Sequence, residues 1–303
     1  MLGARRPSTY KQYSGYITEW LNYSTANNID SIAPSISQAV NFLETLRLKR
    51  HLGYSAVNTA RSALAAVLQL PTGIPLGQDP LVRTYMKGVF HMQPPVPRYV
   101  STWDPDVVLQ LLKTWSPAST VDFSLLTFKL AVLILLVSAQ RIQTLALLDI
   151  AFMTVGKSVI RFTIPGLLKQ SRPGYKNPEV LLRAYAPDRR LCVLTYFNEY
   201  LNRTKTLRGQ ETALFITTKK PFRKASKDTM SRWVRQVMLQ AGIDTSIFKP
   251  HSIRGASASA AKRGGATTKE VMDKAGWARE SVFRKYYDRP LLPSCSFDVA
   301  VLK

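Results

Sequence analysis

The sequence predicts a mainly α fold with a small antiparallel β-sheet, divided into two domains. Three observations carry this. Apolar residues recur at helical spacing from Ser8 to about His91 and again after Asp104. A proline-rich interval without periodicity, Met92 to Thr102, separates the two stretches and reads as a semi-rigid spacer. Three short strand candidates lie together between Phe152 and Tyr185. The expected division is a helical domain over 1–92, a linker over 93–102 and a second domain over 103–303.

In the first domain, Tyr10, Tyr13, Tyr16, Ile17, Trp20 and Leu21 mark one helix. A second starts near Ser35, with Gln38 completing a capping box, and carries Ala39, Phe42, Leu43 and Leu46. A third starts near Ser55 and carries Val57, Ala60, Leu64, Val67 and Leu68, until Pro71, Gly73 and Pro75 end it. A shorter fourth covers Val82 to Phe90. Beyond the linker, Asp104 as N-cap and Pro105 at the first position open a helix with Val107, Val108, Leu111, Leu112 and Trp115 as its buried stripe. Phe123 to Ser138 is apolar almost all round and is expected at the centre of the second core. Phe152–Val155 and Val159–Ile164 flank Gly156-Lys157, which suits a hairpin, and Val180–Tyr185 supplies a third strand. Helices are expected over Arg190–Leu201 and Asp228–Ala241.

Composition narrows the function classes. The 303 residues suffice for two cores, and 46% hydrophobic with 20% charged residues argues against disorder. Lys plus Arg number 42 against 19 Asp plus Glu, a net charge of +23. A polyanionic partner follows, with nucleic acid first; a merely basic surface is the plain alternative. The two cysteines and three histidines have no zinc-like spacing, so no metal and no disulfide framework are expected, and a reducing compartment is the natural reading. The N-terminus has no apolar h-region, so no signal peptide is expected. The most apolar run, Leu130 to Ala139, is too short to span a bilayer.

Chemistry concentrates in four separated places. Arg141 follows the apolar helix, and Lys169 lies in a basic turn between strands. His251 and Arg254 are neighbours on one helical face, and Trp277 precedes the pair Tyr286-Tyr287. A phosphodiester is an anion that gains charge on its non-bridging oxygens when phosphorus is attacked. Two arginines grip such oxygens with paired, charge-assisted bonds. A deprotonated tyrosine is a nucleophile that leaves a covalent protein–DNA link. A lysine supplies the proton for the departing sugar oxygen, with a histidine as acid–base partner. Nothing in this scheme calls for a cofactor. Each residue also has a plain reading: arginines of a basic surface, a capping or packed histidine, a core tryptophan.

This order, Arg141, Lys169, His251-x-x-Arg254, Trp277, Tyr, resembles the tyrosine recombinases of the phage-integrase superfamily over the whole second domain. The motifs SAQR, LLKxSRPG, HSxR and WxxESxFxKxYxxP are most similar to recombinases of DIRS-type retrotransposons and related eukaryotic mobile elements. The resemblance implies a SAM-like helical core-binding domain ahead of a mixed α/β catalytic domain. It implies a 3′-phosphotyrosyl intermediate, double-stranded DNA as partner, a homo-tetramer on synapsed DNA, and a nuclear location for a eukaryotic element. The family's commonest spacing places the nucleophile about nine residues after the tryptophan, at Tyr286. The Lys-Phe-Tyr ending of retrotransposon relatives aligns Tyr287 instead. At about 100° per residue, Tyr286 falls inside the apolar stripe of Val282 and Phe283, and Tyr287 at its edge. The balance favours Tyr287, with Tyr286 the alternative; Asp288 beside it disfavours a phenolate.

One departure stands out. Many relatives carry Glu three residues after the first arginine, where this chain has Thr144, which leaves backbone or Gln143 to hold Arg141. Arg172, Lys176, Arg183, Lys219, Lys220, Arg223, Lys224 and Lys227 are candidate phosphate contacts, or else a solvated charged face. In the first domain Arg47, Lys49, Arg50, Arg61 and Arg83 are candidates to complete a clamp on duplex DNA. The apolar tail after Pro290 is expected to dock on a neighbouring protomer or on its own domain. The functional expectation is DNA cleavage and rejoining in site-specific recombination or integration. The alternatives are a catalytically inactive DNA-binding descendant and a type IB topoisomerase.

Overall fold

In the computed structural model, the structure describes residues 6–96, 99–168, 171, 173–174 and 177–291, with the side chains of Lys285 and Tyr286 outside that description. The chain forms two compact units, Met1–Arg98 and Tyr99–Lys303.

The first unit is helical. Helix α1 (Pro7–Ala26) turns Trp20 fully inward, where its indole donates to the Ser31 carbonyl at 2.9 Å. Tyr10 and Leu21 are exposed, so the buried stripe is narrower than the apolar spacing predicts. Helix α2 (Ile36–Arg50) begins at the expected capping box: Ser35 Oγ accepts from Gln38 N, and Gln38 Oε1 accepts from Ser35 N. Helix α3 (Tyr54–Leu64) stops earlier than the prolines require. Its last turn tightens into i→i+3 bonds at Ala66 and Val67, and Gln69 N then donates to the Ile32 carbonyl at 2.8 Å. Val67 and Leu68 therefore lie beyond the helix although they keep its apolar period. Helix α4 (Pro80–Met92) starts at Asp79, whose carboxylate accepts from Leu81 N and Val82 N. Trp20, Phe42, Leu43, Leu64, Val82 and Val89 form one core.

The second unit is built around α6 (Phe123–Ser138), whose residues Leu126 to Leu135 are all buried. It packs against α8 (Val193–Thr204), α9 (Lys227–Gln240) and α10 (Ile253–Arg263). Helix α5 (Pro105–Thr114) is capped by Asp104 as expected, but Val107 is 45% exposed and outside its buried stripe. Arg190, expected at the start of α8, lies in a 3-10 turn before it, bonded to Asp188.

The sheet is β1 (Met153–Val155), β2 (Val159–Phe162) and β3 (Val180–Arg183), antiparallel throughout in that order. Met153 pairs with Phe162, and Val159 with Arg183. Ile160, Phe162, Val180 and Leu182 face the core while Arg161 faces out, the period-2 alternation of a half-buried sheet. The strands are shorter than predicted: Phe152 belongs to a 3-10 turn, and Ile164 and Tyr185 lie past the ladder. Two segments far apart in sequence meet near the start of this unit. Thr102 N donates to the Pro290 carbonyl at 2.8 Å, and Trp103 Nε1 donates to Ser252 Oγ at 2.8 Å. Among the described residues no helix is long and apolar enough to cross a membrane. The apolar tail from Leu292 onward lies outside the described residues.

Candidate active site

Local backbone events bring the separated motifs together. Helix α6 ends at Ala139 in the left-handed region (φ 49°), and the chain turns through Gln140 and Arg141 into the short α7 (Ile142–Leu145). His251 sits in a 3-10 turn, Pro250–Ser252, that runs straight into α10 and carries Arg254 on its first turn. Helix α11 (Thr268–Ala275) opens on a Thr267–Glu270 capping box and closes at Gly276 (φ 72°). That turn sends Trp277 back into a small core with Ala139, Ala258, Val271 and Phe283. Helix α12 (Glu280–Tyr286) then delivers Tyr287 at its C-terminus.

Arg141, Gln143, Lys227, Ser231, Lys249, His251, Arg254 and Tyr287 line one cleft of about 470 Å³. Arg254 is its deepest cation, only 3% exposed. Its Nη2 donates to the Ala275 carbonyl at 2.9 Å, while Nε and Nη1 are buried without a partner. Its Cζ lies 4.3 Å from the Trp277 ring centroid and 5.6 Å from that of Tyr287. Burial, and then the positive charge of Arg141, pull the Arg254 pKa down to about 9, while Tyr287 opposes the shift. A buried cation with unused donors facing a second cation is strongly unfavourable without an anion, and a bidentate phosphate answers both deficits.

Tyr287 is half-buried, its ring 4.5 Å from that of Trp277. Its backbone is pinned at both ends: N donates to the Phe283 carbonyl at 2.8 Å, and O accepts from Ser259 Oγ at 2.6 Å. Asp288 is ion-paired with Lys262, which compensates the charge expected to disfavour a phenolate. Val282 is exposed and Phe283 fully buried, so the apolar stripe of α12 is narrower than predicted. The backbone of Tyr286 closes α12, and its side chain lies outside the described residues.

His251 is exposed, with Nε2 3.4 Å from the Tyr99 hydroxyl. That hydroxyl also accepts from Lys249 N at 3.2 Å. Lys169, Arg172 and Lys176 lie outside the described residues. Beside them in the chain, the Asn177 amide donates to the Ile164 and Gly166 carbonyls, both at 2.9 Å.

Residues 102–290 match the Phage integrase family. The chain belongs to the phage integrase family. Its members are DNA breaking-and-joining enzymes of recombination and integration, the tyrosine recombinases. No curated relative matches the sequence. Among solved structures, the XerH site-specific recombinase bound to palindromic difH substrate shares 16% identity and a TM-score of 0.59, over 91% of this chain and 75% of that one. A lambda integrase dimer bound to a COC′ core site shares 14% identity and a TM-score of 0.58, over 97% and 93%. A lambda integrase tetramer bound to a Holliday junction shares 14% identity and a TM-score of 0.56, over 97% and 76%. These are likenesses of fold.

Against this integrase fold the predicted basic rim divides. Lys219, Lys220, Arg223 and Lys224 are exposed on a loop closed by the Ile216–Lys224 bridge and by Thr217 Oγ1, which donates to the Lys219 and Pro221 carbonyls. Arg183 and Lys227 are also exposed, and Lys227 borders the cleft. In the first unit Arg50 is bonded to Glu19 at 2.7 Å and Arg47 to Glu44 at 2.6 Å, while Arg61 is half-buried beside Gly77. Tyr99, Gln140, Ser231 and Lys249 escaped the motif reading. Tyr99 lies in the stretch assigned to the linker, Gln140 belongs to the SAQR motif but has no role assigned there, Ser231 lies within a predicted helix, and Lys249 just precedes the His251 motif.

Proposed function

We propose that this integrase-family chain cleaves and rejoins DNA through a covalent link to Tyr287. The phenolic oxygen attacks the scissile phosphorus. The tyrosyl O–P bond forms as the bond from phosphorus to the neighbouring 5′ sugar oxygen breaks, leaving a 3′-phosphotyrosyl link and a free 5′ hydroxyl. Arg141 and Arg254 hold the non-bridging oxygens, and the Trp277 ring packs against both Arg254 and Tyr287. His251 is the acid–base partner at the attacking oxygen, and Lys169 gives the proton to the leaving one. The observation that supports this best is Arg254, buried with two unused donors and packed beside the rings of Trp277 and Tyr287.

The finer reading includes site-specific recombination of a mobile element by a tetramer on two duplexes, with the first unit as core-binding domain. Affiliation with DIRS-type retroelements, and the nuclear location that goes with it, rests on the SAQR, LLKxSRPG and HSxR motifs. The test is relaxation of negatively supercoiled plasmid in EDTA, with phenol extraction of covalent adducts. Wild type and Tyr286→Phe form adducts, and Tyr287→Phe forms none while still binding DNA. Adducts from Tyr287→Phe refute Tyr287 as nucleophile. Wild-type binding without any adduct favours the binding-only descendant.

A further inference from the structure

The departure at Thr144 leads to a positioning device for the arginine pair. Gln140 is 2% exposed and Thr144 1% exposed, four positions apart in sequence. The Gln140 amide is satisfied at both ends. Nε2 donates to the Lys274 carbonyl at 2.8 Å, and Oε1 accepts from Thr144 Oγ1 at 3.3 Å. A flipped amide sets carbonyl oxygen against carbonyl oxygen, so one orientation is enforced. Arg141, the next residue, has extended backbone (φ −80°, ψ 153°). Arg141 lines the cleft, so anchoring the Gln140 side chain fixes the backbone from which Arg141 projects.

The anchor is shared. Gln140 holds the carbonyl of Lys274, and Arg254 holds that of the next residue, Ala275. Both belong to the last turn of α11, the negative end of its dipole. Two guanidiniums in one cleft repel, and their separation has to be imposed by groups that do not move. We propose that Gln140 and Thr144 are positioning residues for strand cleavage: they latch the Arg141 segment to the helix end that holds Arg254, and so set the distance between the two arginines. The hydroxyl of Thr144 thus acts on the Arg141 segment through the Gln140 amide. This rests on the reading of Arg141 and Arg254 as the phosphate clamp.

The experiment measures adduct formation and DNA affinity on supercoiled plasmid for the full chain. The variants are Thr144→Val, Thr144→Ser, Gln140→Met and Gln140→Glu, with Tyr287→Phe as control and a thermal melt of each. Thr144→Val, nearly isosteric, slows adduct formation about tenfold while DNA affinity changes less than about twofold, because misplacing a charged group costs rate before binding. Thr144→Ser restores the rate to within about threefold. Gln140→Glu, which keeps the shape but loses the donor to Lys274, is slowed at least as much as Gln140→Met. Wild-type rates in Thr144→Val and Gln140→Met overturn the proposal. So do losses of rate that merely track losses of affinity or melting temperature. A wild type that forms no adduct overturns the phosphate-clamp reading instead, and the positioning role with it.

Discussion

Two buried cations in the second unit do opposite things with their charge. Arg254 keeps two donors unused, which is costly in a folded chain and explicable at a site for an anion. Lys129 spends its donors internally: Nζ donates to the Leu112 carbonyl at 2.6 Å and the Trp115 carbonyl at 2.8 Å, and lies 3.6 Å from the Tyr196 ring centroid. A neutral amine has the two hydrogens those carbonyls need. Burial pulls the Lys129 pKa down to about 7, with Asp188 opposing the shift and Arg190 adding to it. Because the folded-state value is depressed, the folded chain binds fewer protons than the unfolded chain between about pH 7 and the ordinary lysine range near 10.4. This group's contribution to stability therefore rises with pH across that window and is flat below it. Lys129→Met removes both the bonds and the pH term. It costs about 1–3 kcal/mol in urea unfolding, and the gap from wild type widens between pH 7 and 10. Parallel curves refute the assignment.

At the scale of elements, Gly276 decides where α11 stops. With φ 72° it holds the left-handed turn in which Trp277 N reaches back to the Met272 carbonyl at 2.9 Å. Gly276→Ala puts a Cβ in that region and costs about 1 kcal/mol, read by denaturant unfolding. It also slows adduct formation, because the carbonyls of Lys274 and Ala275 and the ring of Trp277 all hang on this turn. Unchanged stability counts against the turn as the determinant. Such local signals were legible in the sequence. Ser35 with Gln38, and Asp104 with Pro105, mark helix starts because the capping residues are neighbours in the chain. Asp79-Pro80 carries the same signature as Asp104-Pro105, and α4 starts there, at Pro80, ahead of the Val82 expected. The end of α3 was not legible, because Val67 and Leu68 continue the apolar period after the turn has tightened into i→i+3 bonds at Ala66 and Val67. The left-handed residue Ala139 has no sequence signal, since alanine rarely adopts that conformation. In the site, the order of Arg141, His251, Arg254, Trp277 and Tyr287 was legible as a motif. The bonds of Gln140 to Lys274 and of Tyr99 to His251 span 134 and 152 positions and leave no local pattern.

For the whole molecule, a net charge of +23 overstates the charge free to meet DNA. Lys129 is internal, Arg203 donates to the carbonyls of Val121, Ala118 and Ser119, and Arg208 is 8% exposed with donors on Ala213 and Thr204. These hold the second unit together and leave no donor pattern for phosphate. Lys219, Lys220, Arg223 and Lys224 differ: their side chains are exposed, while the loop's backbone is held by Thr217. Neutralising all four therefore removes charge without removing the fold. Each phosphate contact released contributes about −0.9 to the slope of log K against log salt for duplex DNA. If all four bind phosphate, the quadruple Gln variant shows a slope shallower by about 3–4, with the largest loss of affinity at low salt and an unchanged melting temperature. Arg203→Gln gives the converse, a lowered melting temperature with the salt slope of the remaining folded protein unaltered. A quadruple variant with the wild-type slope makes the loop a solvated charged face, and moves the DNA path to the cations bordering the cleft, Lys227 and Lys249.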